Sequence, residues 1–133
     1  MSIDTRPTRP HNVDPHPEDP ALEVWIPADD EPDPQVSIVI PALNEAITME
    51  TFVAWCHQGL ADAGVRGEIL IVDSSDDDTP HIAVAGGARV LRTPKRGLGR
   101  ASLASLAVIR APRGILGDAD CTYDFRLLAP FIE

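Results

Sequence analysis

Residues 36–45 read VSIVIPALNE, and with residues 68–73, EILIVD, they decide the fold. Each begins as a run of apolar, mostly β-branched residues without polar alternation. Such runs suit strands buried on both faces, as in a parallel sheet. Pro41 closes the first run and Asp73 the second. Between them Met49, Phe52, Val53, Cys56 and Leu60 recur at steps of three and four, which predicts a helix with one apolar face. Asn44 is placed to cap that helix and Gly64 to stop it.

Moving outward, Thr79-Pro80 reads as an N-cap followed by proline at the first helical position, and Gly86-Gly87 ends that short helix. Residues 88–91 predict a third strand, and a third helix is expected from Arg100 to Arg110. Residues 114–117 predict a weak fourth strand, preceded by Pro112 and Arg113, with another helix beginning at Asp124. The expected fold is α/β: a Rossmann-like parallel sheet, βαβαβαβ, in strand order 3-2-1-4.

Residues 1–34 stand apart. They hold eight of the 13 prolines and nine acidic against two basic residues, so this segment carries −7 of the net charge of −10. Only Leu22, Val24, Trp25 and Ile26 cluster as apolar residues. Too little apolar surface is available to offset the ordering entropy, so a disordered acidic tail is expected over 1–34, with the domain spanning 35–133.

The charge balance gives no basic face for nucleic acid. No apolar run is long enough to span a membrane, and the N-terminus lacks a secretory apolar core. These features suggest a cytoplasmic location, with the inner face of the membrane as an alternative. The two cysteines, Cys56 and Cys121, are then reduced thiols, and their spacing fits no zinc site.

In an open parallel sheet, ligands bind beyond the carboxyl ends of the strands, at the switch point. Polar residues gather at those ends: Asn44 and Glu45, then Asp73 to Asp78, then Asp118-Ala119-Asp120. So many carboxylates on one edge call for a cation. Mg²⁺ or Mn²⁺ accepts carboxylate oxygens while keeping positions for phosphate oxygens. Asp118 and Asp120 are the expected metal ligands.

The blocks VSIVIPALNEA, EILIVDSSDDDT, PKRGLGRA and GDAD, in that order, resemble those of family 2 glycosyltransferases, with wording nearest to bacterial polyprenyl-phosphate glycosyltransferases. The resemblance covers residues 35–133 and implies the nucleotide-sugar-binding part of an A-type glycosyltransferase fold, truncated before its acceptor half. It further implies that Pro41, Asn44 and Glu45 line the nucleotide pocket, and that Asp73 contacts the base or ribose. Asp118 and Asp120 would hold the ribose and the metal-bridged diphosphate. Gly97 and Gly99 would let their loop approach the donor, with Lys95 or Arg96 offering charge. The donor would be a UDP- or GDP-type sugar, and the acceptor a lipid phosphate, such as a polyprenyl phosphate, or a glycan. The catalytic base would lie beyond Glu133.

One departure is that a single Asp73 precedes Ser74-Ser75 where the family carries two adjacent acids. Two alternatives remain at this stage. One is a truncated, inactive nucleotide-binding fragment. The other is a haloacid-dehalogenase-type phosphotransferase, since Asp118-Ala119-Asp120-Cys121-Thr122 also fits its Asp-x-Asp-x-Thr pattern.

Overall fold

The computed structural model describes residues 12–20, 22–93 and 107–116, with Arg113, Ile115 and Leu116 described by backbone alone. Eight elements are seen among the described residues: β1 (Val13–Pro15), β2 (Glu23–Trp25), β3 (Val36–Ala42), α1 (Ala46–Ala63), β4 (Gly67–Asp73), α2 (Thr79–Ala85), β5 (Arg89–Arg92) and β6 (Arg113–Leu116). They form one six-stranded sheet in the order β1-β2-β5-β4-β3-β6. The run β5-β4-β3-β6 is all parallel. It reproduces the expected order 3-2-1-4: β4 and β5 are added on one side of β3 and β6 on the other, and this change in winding between β3 and β6 defines the switch point.

Alternation along the strands divides the core in two. Ile38, Ile40, Ile69, Ile71 and Val90 face α1 and α2, where they meet Met49, Phe52, Val53, Cys56 and Leu60. Those five are the residues that the periodicity assigned to one helical face. Gly64 ends α1 in the left-handed conformation at φ 68°, as a C-terminal glycine commonly does. On the opposite face Val39, Leu70, Val72 and Leu91 pack with Val24 and Val108.

The parallel strands end where their chemistry requires. Ser74 N donates to Ala42 O, so Ala42 turns its polar groups towards β4. Pro41, one residue earlier, faces the β6 side, past the last described pair, Val39 with Leu116. Its missing N–H therefore costs no described ladder bond. Pro112 likewise stands just outside β6, so neither proline interrupts the sheet.

The acidic segment departs from the sequence expectation. Between residues 12 and 34, two short strands are ordered rather than a free tail. β1 pairs antiparallel with β2, and β2 pairs antiparallel with β5. The reason lies in the small apolar cluster: Val24 and Trp25 are buried on opposite faces of the sheet, adding enough apolar contact to hold a three-residue strand. Residues 107–110 form a turn at the end of the expected third helix. The rest of that helix and the one expected from Asp124 lie outside the described residues.

A charge pair is buried in the half of the sheet away from the switch point. Arg89 Nη2 lies 3.3 Å from Glu68 Oε1, both side chains being almost fully enclosed. The guanidinium also donates to Val108 O at 2.9 Å, tying the second face's cover to β5. Glu68 Oε2 and Arg89 Nε have no partner. Burial pushes the Glu68 carboxyl up, against the opposing pull of Arg89 and Arg110. Arg110 itself pairs with Asp30 at 2.6 Å and anchors the segment before β3.

Candidate functional site

At the carboxyl edge, the loop after β3 and the loop after β4 are stitched together by short polar side chains. Asn44 adopts φ 54°, a region that asparagine tolerates better than most residues. That turn aims its N–H at Ser75 Oγ, 2.7 Å away, while its Oδ1 accepts from Asp76 N at 3.1 Å. The next residue continues the seam, with Glu45 N donating to Thr79 Oγ1 at 2.9 Å.

Asn44 is thus a loop clasp rather than the helix cap expected of it, and Glu45 occupies the N-cap position without a side-chain capping bond. Thr79 is also shifted by one. It opens α2 as the first helical residue, and Asp78 takes the cap position. Asp77 serves both helices, accepting from Thr79 N at 3.0 Å, from Thr79 Oγ1 and from Ala46 N. Desolvation alone would raise the Asp77 carboxyl, but these hydrogen bonds hold it below the usual carboxylate range.

Asp73 sits at the end of β4, as expected, yet its side chain is closed to solvent, at 0% exposure. Ser75 Oγ donates to Oδ1 at 2.6 Å and Ser75 N to Oδ2 at 3.2 Å. Arg92, its register partner on β5, forms an ion pair with Oδ2. Both carboxylate oxygens are thus engaged within the domain, by Ser75 and Arg92, beneath the loops that follow β3 and β4.

Pro41, Leu43 and Asn44 are exposed along the same edge, and Glu45 is half-buried. Ile47, on the first turn of α1, is 98% exposed. These residues lie at or just beyond the carboxyl end of β3, the strand that pairs with β6. Lys95, Arg96, Gly97, Gly99, Asp118 and Asp120 lie outside the described residues.

Sequence reasoning missed Arg92, Ser75 and Trp25. Arg92 would have been found by pairing the last residues of adjacent strands, since Asp73 and Arg92 are in register. The hint of Trp25 was the apolar cluster at 22–26.

Fold and site together define a doubly wound α/β domain whose ligand edge, by the switch-point rule, lies at the carboxyl ends of its parallel strands. A profile of glycosyl transferase family 2 matches residues 37–133, and the chain belongs to this family. It is 39% identical over 111 residues to the low-salt glycan biosynthesis hexosyltransferase Agl6 of Haloferax volcanii, covering 84% of this chain and 27% of that protein.

Among solved structures, mannosyl-3-phosphoglycerate synthase from Rubrobacter xylanophilus superposes with a TM-score of 0.64 at 30% identity, over 74% of this chain and 35% of that one. Glucosyl-3-phosphoglycerate synthase from Mycobacterium tuberculosis, in complex with Mn²⁺, UDP and glucosyl-3-phosphoglycerate, does so at 0.55 and 35% identity, over 65% and 34%. The chain therefore spans about a third or less of the length of these relatives. Family membership displaces the phosphotransferase reading of residues 118–122.

Proposed function

We propose that the chain provides the nucleotide-sugar-binding part of a hexosyltransferase, using Mg²⁺ or Mn²⁺ and a UDP- or GDP-type donor. The observation that carries this reading is the seam between the β3 and β4 loops, at the switch-point edge of a family 2 domain. It fixes Asn44 and Glu45 at the carboxyl edge, just beyond Pro41 at the end of β3. The relative solved with Mn²⁺ and UDP supports the metal and the donor class.

Among the described residues, no three His, Cys, Asp or Glu side chains converge as a metal site. Asp73 and Asp77 are already bonded. The ligands proposed for the cation are Asp118 and Asp120, a hard oxygen pair of the kind that suits Mg²⁺ or Mn²⁺. When bound, such an ion neutralises charge on the diphosphate leaving group.

The protein's own part is binding and orientation. Pro41, Asn44 and Glu45 hold the nucleoside against the edge. Gly97 and Gly99 allow close approach of their loop, Lys95 or Arg96 adds positive charge to the diphosphate, and Asp118 engages the ribose. Asp73 acts beneath them through Ser75. The proposed acceptor bears a phosphate, the shared chemistry of a polyprenyl phosphate and a phosphoglycerate, with a glycan as the alternative. No helix among the described residues is long and apolar enough to cross a membrane, and a cytoplasmic location is proposed.

Calorimetry with UDP or GDP tests the reading. Binding is expected in the presence of Mn²⁺ and is expected to disappear in Asp120→Ala. Affinity that is indifferent to the metal would overturn the assignment.

A further inference from the structure

We propose that Trp25, on the antiparallel strand β2, is a positioning residue of the donor site. The inference rests on the donor-site reading above and adds the N-terminal segment to it. The Arg92 guanidinium carbon lies 5.6 Å from the centre of the Trp25 ring. From there Arg92 reaches the buried Asp73 carboxylate, and its Nη1 donates to Ser75 O at 3.1 Å. Ser75 passes the constraint to Asn44 N through the 2.7 Å bond of its hydroxyl. Four side chains and a backbone amide thus connect β2 to the loop after β3.

The arrangement is specific in its parts. An aromatic face attracts a cation electrostatically, which an aliphatic side chain of similar bulk does not. His81 meets the same ring edge-on, with centroids 5.0 Å apart at 66°, and limits its rotation. Trp25 Nε1 donates to Glu23 Oε1 at 3.2 Å, which fixes the other end of the indole. A guanidinium free of the ring could swing into solvent, since the Arg92 side chain is 30% exposed. Asp73 would then hold an uncompensated buried charge, and the Ser75 clasp on Asn44 would loosen.

Three variants of the full chain separate this role from simple packing. Trp25→Phe keeps an aromatic face, Trp25→Leu keeps only apolar bulk, and Arg92→Lys keeps the charge but loses the planar guanidinium that lies over the ring while its Nη1 serves both Asp73 and Ser75 O. Hydrogen exchange at Asn44 N–H reads the relay without any ligand. Exchange about tenfold faster is expected in Trp25→Leu and Arg92→Lys, the fold-change that a partly desolvated cation–π contact carries, with Trp25→Phe close to the parent.

Calorimetry with UDP and Mn²⁺ should show the same order, with affinity falling about tenfold in the first two variants and recovering in Trp25→Phe. Unchanged Asn44 exchange in both Trp25→Leu and Arg92→Lys would overturn the relay. Equal losses in Trp25→Phe and Trp25→Leu would reduce Trp25 to packing and overturn it too. Should the parent chain bind neither UDP nor GDP with Mn²⁺, the donor-site reading falls, while the exchange data still decide whether the relay exists.

Discussion

Replacing Arg89 with methionine should be among the most damaging single changes outside the site. The substitution removes the cation 3.3 Å from Glu68 Oε1 and leaves that carboxylate enclosed with its Oε2 already unpartnered. Breaking a buried pair from one side costs about 3–5 kcal/mol. Val108 O loses its guanidinium donors as well, which adds about 1–3 kcal/mol. Against a total stability of about 5–15 kcal/mol, this is a large fraction.

Urea unfolding at pH 7 and pH 5 measures it. Because burial raises the Glu68 carboxyl above its ordinary 4.5, the protonated form suits the fold. The stability it contributes is complete below 4.5 and is lost as pH rises through the folded value. Without Arg89 the carboxyl rises further, so the variant's deficit should shrink on going from pH 7 to pH 5. The paired replacement Glu68→Leu with Arg89→Met should recover most of the loss, since well-packed apolar substitutes for a buried ion pair are often neutral or stabilising. A single-variant deficit under about 1 kcal/mol at pH 7, or one that grows on acidification, would refute the reasoning.

Ser75→Ala removes a donor to the buried Asp73 and an acceptor for Asn44 N–H, so a loss of about 2 kcal/mol is expected in urea unfolding. Asp77, held low by its hydrogen bonds, contributes stability that is present above the ordinary carboxylate range and is lost as pH falls through its folded value. Asp77→Asn should therefore flatten the acid limb of a thermal-unfolding pH series. Gly64→Ala meets no atom within 4 Å at its new Cβ, so its expected cost, about 1 kcal/mol by thermal unfolding, reports left-handed backbone conformation alone.

The parallel core was readable because each element carried its own signal. β3 and β4 are continuous apolar runs, and α1 shows its buried face at helical spacing. Their expected order, 3-2-1-4, is the one that brings the polar ends of the first, second and fourth parallel strands together at a switch point. The two caps were misplaced by one residue because tertiary contacts claimed the capping side chains. Asn44 spends its amide and side chain on the β4 loop, and Thr79 spends its hydroxyl on Asp77 and Glu45. β1 and β2 were invisible for another reason. A three-residue strand in a proline-rich acidic segment has almost no local preference, and its stability comes from β5 beside it. Asp73 was found at its strand end, but its partner could be named only once the β4–β5 register was known.

The short β1–β2 hairpin also governs how the sheet meets other molecules. β5 ends the parallel core, and without β2 its outer row of amides and carbonyls would be open for pairing with a neighbouring chain. β2 occupies that row and hands the exposed edge to β1, a strand of only three residues. β1 carries Asp14 and ends in Pro15, which has no amide hydrogen to offer. Among the described residues, this edge therefore offers a neighbouring strand only a short, charged and proline-ended row, the kind of edge that disfavours growth of the sheet from molecule to molecule.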